Sequence, residues 1–268
     1  MIINVPEFDP VAIYLGPILI RWYSLAYIAG ILFVTYWLKK ANEKDNFMSK
    51  KAYDDWLVWA VCSILLGGRI GYVLFYNLSF FLENPLEIFA FWHGGMSFHG
   101  GLLGSIFGCW LFCKKYKIQY LKLTDNLAVS APIALFFGRI ANFINLELYG
   151  RTTNSEYGFI FPNAGYLPRH PSQLYEAFLE GILLFIILFS LNLIPKFNQA
   201  RGFLSGIFLI GYGSFRILVE NFREPDEQIG FLLSKITMGQ ALSLPLILIG
   251  IILVTLSLNL KKSKKNLA

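Results

Sequence analysis

Charged residues are scarce in this chain. Asp, Glu, Lys and Arg make up 15% of its 268 residues, where a soluble domain carries about 25%. The shortfall argues against a soluble globular domain and for a polytopic membrane protein, because lipid-facing surface tolerates charge poorly. Histidine and cysteine are also rare, with three of each. Cys62, Cys109 and Cys113 all lie in apolar stretches. No CxxC step and no further ligand accompanies them, so they read as buried small hydrophobes and not as a redox or metal motif. HExxH is absent, as is any Asp-rich cluster, and no metal or other cofactor is expected. The mildly acidic, proline-containing start lacks a basic n-region, so no cleavable signal peptide is expected either.

Apolar residues are what the chain has in excess: 56% are hydrophobic and 17% aromatic. A helix needs about 20 mostly apolar residues to cross the hydrocarbon core. Seven segments qualify, near 18–38, 56–78, 97–113, 125–144, 174–194, 202–221 and 239–259. The third is short, and Pro132 interrupts the fourth. The expectation is an all-α integral membrane protein: one polytopic domain, 1–268, with seven transmembrane helices and an outward loop at 145–173.

Lysines and arginines orient these spans. Lys39, Lys40, Lys44, Lys50 and Lys51 follow the first, and Lys114, Lys115, Lys117 and Lys122 follow the third. Lys196 and Arg201 follow the fifth, and Lys261, Lys262, Lys264 and Lys265 follow the seventh. The other side holds Arg151, Arg169, Arg223 and Lys235. By the positive-inside rule the N-terminus faces out, to the periplasmic side, and the C-terminus faces the cytoplasm. The net charge of +6 then reflects loops beside anionic headgroups, with no nucleic-acid partner expected.

Four arginines fall inside or at the ends of spans: Arg21, Arg69, Arg139 and Arg216. Each costs roughly 2.5–3.5 kcal/mol at a helix centre. Arg21 can snorkel to the outer interface. Arg69, in GGRIGY, needs a carboxylate, carbonyl or water, which points to a structural role. Arg139 and Arg216 lie toward the outward ends of the fourth and sixth spans, where guanidinium forks suit a phosphate.

Polar residues gather near them. In Gly138–Arg151 (GRIANFINLELYGR), Arg139 and Asn142 share a helix face, with Glu147 and Arg151 further along. In GYGSFRILVENFREPD, the residues Arg216, Glu220 and Arg223 fall on one stripe, either as part of a site or as an internal salt bridge. Ahead of the fifth span, LPRHPSQLYE offers His170, Ser172 as a possible N-cap, and Glu176. Glu176 suits either the helix dipole or a functional carboxylate, and His170 either loop packing or the site. Tyr23, in IRWY, belongs either to an interfacial aromatic belt or to an inward site. Gly67 and Gly71 form a GxxxG step, and Gly100, Gly104 and Gly108 form a second small-residue stripe. His99, in GGMSFHGG, opens the third span, where the helix dipole favours a neutral imidazole.

These stretches (GGMSFHGG, GRIANFINLELYGR, HPSQLYE, GYGSFRILVENFREPD, IRWY and GGRIGYVLFY) resemble those of bacterial prolipoprotein diacylglyceryl transferases, in order and over nearly the whole chain. Ser24 and Leu146 stand where glycine is expected. The resemblance implies a seven-helix enzyme of the inner membrane with its site toward the periplasmic leaflet. Such an enzyme transfers the diacylglyceryl group of phosphatidylglycerol to the lipobox cysteine thiol of preprolipoproteins, forms a thioether and releases glycerol 1-phosphate. It also implies His99, Arg139 and Arg216 as catalytic residues. Arg139 also counts among the substrate-binding residues, with Asn142, Tyr23, Glu147, Gly150, His170, Glu176, Glu220 and Arg223. The rival reading is a small secondary transporter or channel for an organic anion, with the two arginines as binding pair. No internal repeat supports it, and the polar residues cluster on one side instead of at the midplane.

Overall fold

Hydropathy and helix geometry agree on where the long elements lie. The computed structural model describes residues 2–224, 231–232 and 236–266; Lys235 and the side chains of Lys261, Lys262, Lys264 and Lys265 lie outside the described residues. Among the described residues a long helix stands at each of the seven segments. They are α1 (Trp22–Asp45), α2 (Lys50–Phe75), α3 (Phe98–Tyr116), α4 (Tyr120–Ile144), α5 (Ser172–Leu193), α6 (Phe203–Glu220) and α7 (Met238–Asn266). Five of them, α2, α4, α5, α6 and α7, are long and apolar enough to cross a membrane. The chain is thus mostly helical, with the make-up of a multi-pass membrane protein.

The boundaries depart from hydropathy where polar chain stays helical or apolar chain does not. The first span was expected at 18–38, but Ile18–Arg21 is a strand (β3) paired antiparallel with β2 (Val11–Leu15). Gly16, at φ +60°, and Pro17 make the tight turn between them. Helix α1 begins only at Trp22, then continues through its lysines to Asp45, since propensity for helix does not end with apolarity. Helix α2 starts early for a similar reason, with Ser49 capping it by accepting the Ala52 N–H. Helix α4 runs unbroken through Pro132. Helix α5 holds a surprise: Ala177–Leu183 is wound as a π-helix between two α-helical stretches.

The chain packs as two compact units, Met1–Leu38 with Thr124–Ala268, and Lys39–Leu123. In the first, Leu184, Leu188, Phe203, Leu204 and Val129 form the apolar centre. The 145–173 loop is built on strand pairing and a core of its own. Strand β4 (Phe159–Ile160) pairs in parallel with β1 (Ile3–Asn4), and Val5, Leu146 and Phe161 fill a small core beneath. Asp125 is buried near the other end of α4 and accepts hydrogen bonds from Gly202 N (2.7 Å) and Ser205 N (2.8 Å), capping α6 from a distance.

In the second unit the two glycine stripes meet each other. A Cβ on Gly67 would stand 2.6 Å from the Gly104 Cα, and one on Gly71 would stand 2.7 Å from the Gly100 Cα. The backbones of α2 and α3 touch there because nothing larger fits. Arg69 is buried and finds carbonyl oxygens: Ile88 at 2.9 Å, Ala90 at 3.1 Å and Gly95 at 3.2 Å, with Glu87 and Gly94 as further acceptors. Its guanidinium also lies 5.1 Å from the Phe81 ring centroid. It staples the segment that leads into GGMSFHGG. Cys109 and Cys113 are buried, whereas Cys62 is exposed, contrary to the expectation for all three. Its apolar neighbours on α2 face outward with it.

Candidate active site

Helices α4, α5 and α6 each bring ionisable side chains to one buried cluster. Arg139 Nη1 lies 3.2 Å from Glu176 Oε2, and its Nη2 lies 3.3 Å from Glu180 Oε2. Arg216 pairs with Glu176 Oε1 through Nη1, and its Nη2 sits 2.6 Å from Glu220 Oε1. Arg223, just past the end of α6, reaches Glu176 Oε1 at 3.5 Å. The carboxylates of Glu176 and Glu180 are wholly enclosed, with 0% of either exposed. Helix α5 supplies both from its first three turns, and the π turn at Ala177–Leu183 carries Glu180. Single π turns of this kind recur at functional sites because they redirect side chains within an otherwise regular helix.

The two intramembrane arginines therefore converge, and they converge on a carboxylate. Glu176 accepts charge from three guanidinium groups, more than a helix-dipole role requires. The stripe Arg216, Glu220 and Arg223 is only partly an internal salt bridge. Arg216 does pair with Glu220 in its own helix, but Arg223 reaches across to α5.

A second polar group forms one turn beyond Arg139. Asn142 Nδ2 donates to Glu147 Oε1 at 2.7 Å and to Tyr23 Oη at 3.3 Å. Tyr23 thus turns its phenol toward a polar partner instead of serving only as interfacial belt. The carbonyl of Glu147 accepts from Gln173 Nε2 at 2.7 Å, and the carbonyl of Leu148 accepts from Ser172 Oγ at 2.9 Å. Ser172 does not cap α5; its hydroxyl is committed to the preceding loop, and Pro171 precedes the helix.

Gly150 sits where three chain segments cross. A Cβ there would meet Phe222 O at 2.5 Å and His170 O at 2.6 Å. Its N–H donates to His170 O at 2.8 Å, and it bridges to Arg223 as an isolated antiparallel pair. Arg151 beside it donates to the carbonyls of Arg223 (2.8 Å) and Glu220 (3.3 Å). His170 packs edge-on to Phe222, 5.1 Å between centroids, with Nδ1 3.3 Å from Tyr175 Oη. Burial pushes its imidazole below the ordinary histidine range. Its contacts are those of a loop-packing residue.

His99 belongs to the other unit, Lys39–Leu123, where it stands exposed in the first turn of α3, whose N-cap is Ser97. Ten of the eleven expected residues thus lie in the first unit: Tyr23, Arg139, Asn142, Glu147, Gly150, His170, Glu176, Arg216, Glu220 and Arg223. Glu180 and Gln173 are the ones the sequence reading missed. Glu180 had a signal: it is an acid four residues after Glu176, inside an apolar run, in a chain with intramembrane arginines to satisfy. Gln173 had none.

Known proteins resemble this chain along almost its full length. The family model for prolipoprotein diacylglyceryl transferase matches residues 10–256. Phosphatidylglycerol–prolipoprotein diacylglyceryl transferases are 52% identical in Rickettsia felis, over 93% of this chain and 96% of that one. The Azospirillum brasilense protein of that name is 54% identical, over 93% and 94%. An anion transporter finds no support among these relatives. Every motif that carried the resemblance lies within the matched span, and the chain belongs to the prolipoprotein diacylglyceryl transferase family.

Proposed function

We propose that this transferase moves the diacylglyceryl group of phosphatidylglycerol onto the lipobox cysteine thiol of preprolipoproteins, the first step of lipoprotein maturation. The thiol sulfur attacks the glycerol carbon that bears the phosphate ester. An S–C bond forms as the C–O bond breaks, and the electron pair leaves on the phosphate oxygen as glycerol 1-phosphate. The observation that carries this reading is the meeting of Arg139 and Arg216 at one buried carboxylate, 3.2 Å from Arg139. Two forked cations aimed at the same point suit one phosphate, and they stabilise the charge that builds on the leaving group. No metal or other cofactor is required, because guanidinium supplies the electrostatic stabilisation.

Asn142, Tyr23 and Glu147 orient the lipid by hydrogen bonds; Gly150, His170 and Arg223 shape the site, and Glu176 and Glu220 hold the arginines. His99, assigned by resemblance, takes the thiol proton; a free thiol has a pKa near 8.5, within reach of a neutral imidazole. The whole chain acts as one domain with seven spans in the inner membrane, its N-terminus periplasmic and its C-terminus cytoplasmic. The site then opens to the outer leaflet, from which lipid enters between helices.

Purified protein, phosphatidylglycerol and a lipobox peptide test the reading, with a diacylglyceryl mass increment on cysteine as the positive result. Arg139→Ala should lower turnover by about 10²–10³-fold while the protein still inserts. Unchanged turnover would overturn the clamp. Near-normal turnover in His99→Gln would overturn the proton role of His99 alone.

A further inference from the structure

Among the described residues the ion-paired groups of the cluster balance: the guanidinium groups of Arg139, Arg216 and Arg223 face the carboxylates of Glu176, Glu180 and Glu220. A lipid phosphodiester entering there brings one more negative charge, and uncompensated charge in a buried site is costly. Either a carboxylate leaves or a proton arrives. Glu176 touches three arginines, and Glu220 lies 2.6 Å from Arg216. Glu180 is held least: one ion pair, to Arg139 at 3.3 Å, while its Oε1 is buried with no hydrogen-bond partner among the described residues. Its carboxylate is wholly enclosed, and its stretch of helix is tightly packed. The next residue, Gly181, is packed so closely that a Cβ on it would stand 2.7 Å from the Phe136 Cβ.

We propose that Glu180 takes up a proton from water when an anionic lipid phosphate binds at Arg139 and Arg216, so that lipid binding is linked to pH. The proposal rests on the phosphate-clamp reading above. Protonated, Glu180 keeps the site neutral, releases its hold on Arg139, and gains an O–H that can donate to a phosphate oxygen. The charged and titratable groups facing it are Arg139 from α4, Glu176 from its own helix, and Arg216 and Tyr212 from α6. Glu220 lies behind Arg216, and Arg151 is engaged by the carbonyls of Glu220 and Arg223. The guanidinium groups remain charged throughout, and Glu176 is anchored by three of them.

Calorimetric titration of the detergent-solubilised full chain with phosphatidylglycerol micelles, in two buffers of different ionisation enthalpy, counts the protons. At about pH 8 the wild type should take up close to one proton per lipid, and its affinity should fall by up to about tenfold per pH unit above that. Glu180→Gln should bind with no proton uptake and a flat pH profile. No uptake in the wild type, or undiminished uptake in Glu180→Gln, overturns the proposal. Should Glu180→Gln not fold, Glu180→Asp replaces it; lipid must then raise a protonated-carboxyl infrared band that shifts between wild type and variant. No band, or an unshifted one, overturns the proposal. Arg139→Gln tests the parent reading separately. If it binds lipid as the wild type does, the clamp fails and this proposal with it; if it loses binding while the wild type exchanges no proton, only the role of Glu180 fails.

Discussion

Glu176 and His170 stand six residues apart in LPRHPSQLYE, and their surroundings divide their roles. Glu176 is closed off among three arginines, whereas His170 lies against the rings of Phe222 and Tyr175. Burial lowers the His170 pKa, so the folded chain resists its protonation. As pH falls through the ordinary histidine value near 6.5, the unfolded chain gains a proton that the folded one refuses, and stability declines. Thermal melts from about pH 7.5 to about pH 5.5 should therefore show a smaller loss in His170→Asn than in the wild type. Equal losses would assign the acid sensitivity to other groups. Leu146 presents a different tension. It occupies the left-handed region, with φ +56°, yet it is buried in the small core with Val5 and Phe161. Left-handed geometry costs a non-glycine residue roughly 1–2 kcal/mol, and burying leucine returns about 1.5–3 kcal/mol. Leu146→Ala loses the burial and keeps the strain, while Leu146→Gly loses both. Denaturation should find Leu146→Gly at least as stable as Leu146→Ala, the reverse of the usual order.

Among the elements, α2 and α3 depend on having almost no side chain where they cross. Ser63 also lies against Gly108, so the crossing extends over several turns. Gly104→Leu should separate the pair, read as loss of protease resistance within residues 39–123. Arg69 is the other support of that unit. Removing a buried guanidinium strands several carbonyl oxygens at once, and Arg69→Met should cost on the order of 3 kcal/mol. Retained stability would mean that water replaces it. The π turn in α5 illustrates what local pattern conceals. Ala177–Leu183 contains no proline and no glycine before Gly181, and nothing in its composition separates it from a regular helix. The wider turn arises where α5 meets neighbours on α4 and α6, and it presents Glu180 to Arg139.

For the molecule as a whole, the distribution of lysine and arginine is the strongest directional signal. A reporter active only in the cytoplasm should work when fused at the C-terminus and fail when inserted in the 145–173 loop. The opposite pattern would reverse the proposed orientation and move the site to the inner leaflet. Long apolar runs, the spacing of glycines and the position of intramembrane arginines were all legible along the chain. Each is a property of composition or of near neighbours, and lipid as solvent makes hydropathy a direct constraint. Arg139 and Arg216 were legible as costly residues in need of partners. The identity of those partners was not. Glu176 and Glu180 lie 37 and 41 residues beyond Arg139, and Glu176 lies 40 before Arg216. Such pairing follows from how α4, α5 and α6 pack, which no periodicity encodes. The closeness of three stretches of chain at Gly150 and the burial that isolates Glu180 share that origin: they are products of distant segments meeting, and they exist only once the helices have come together.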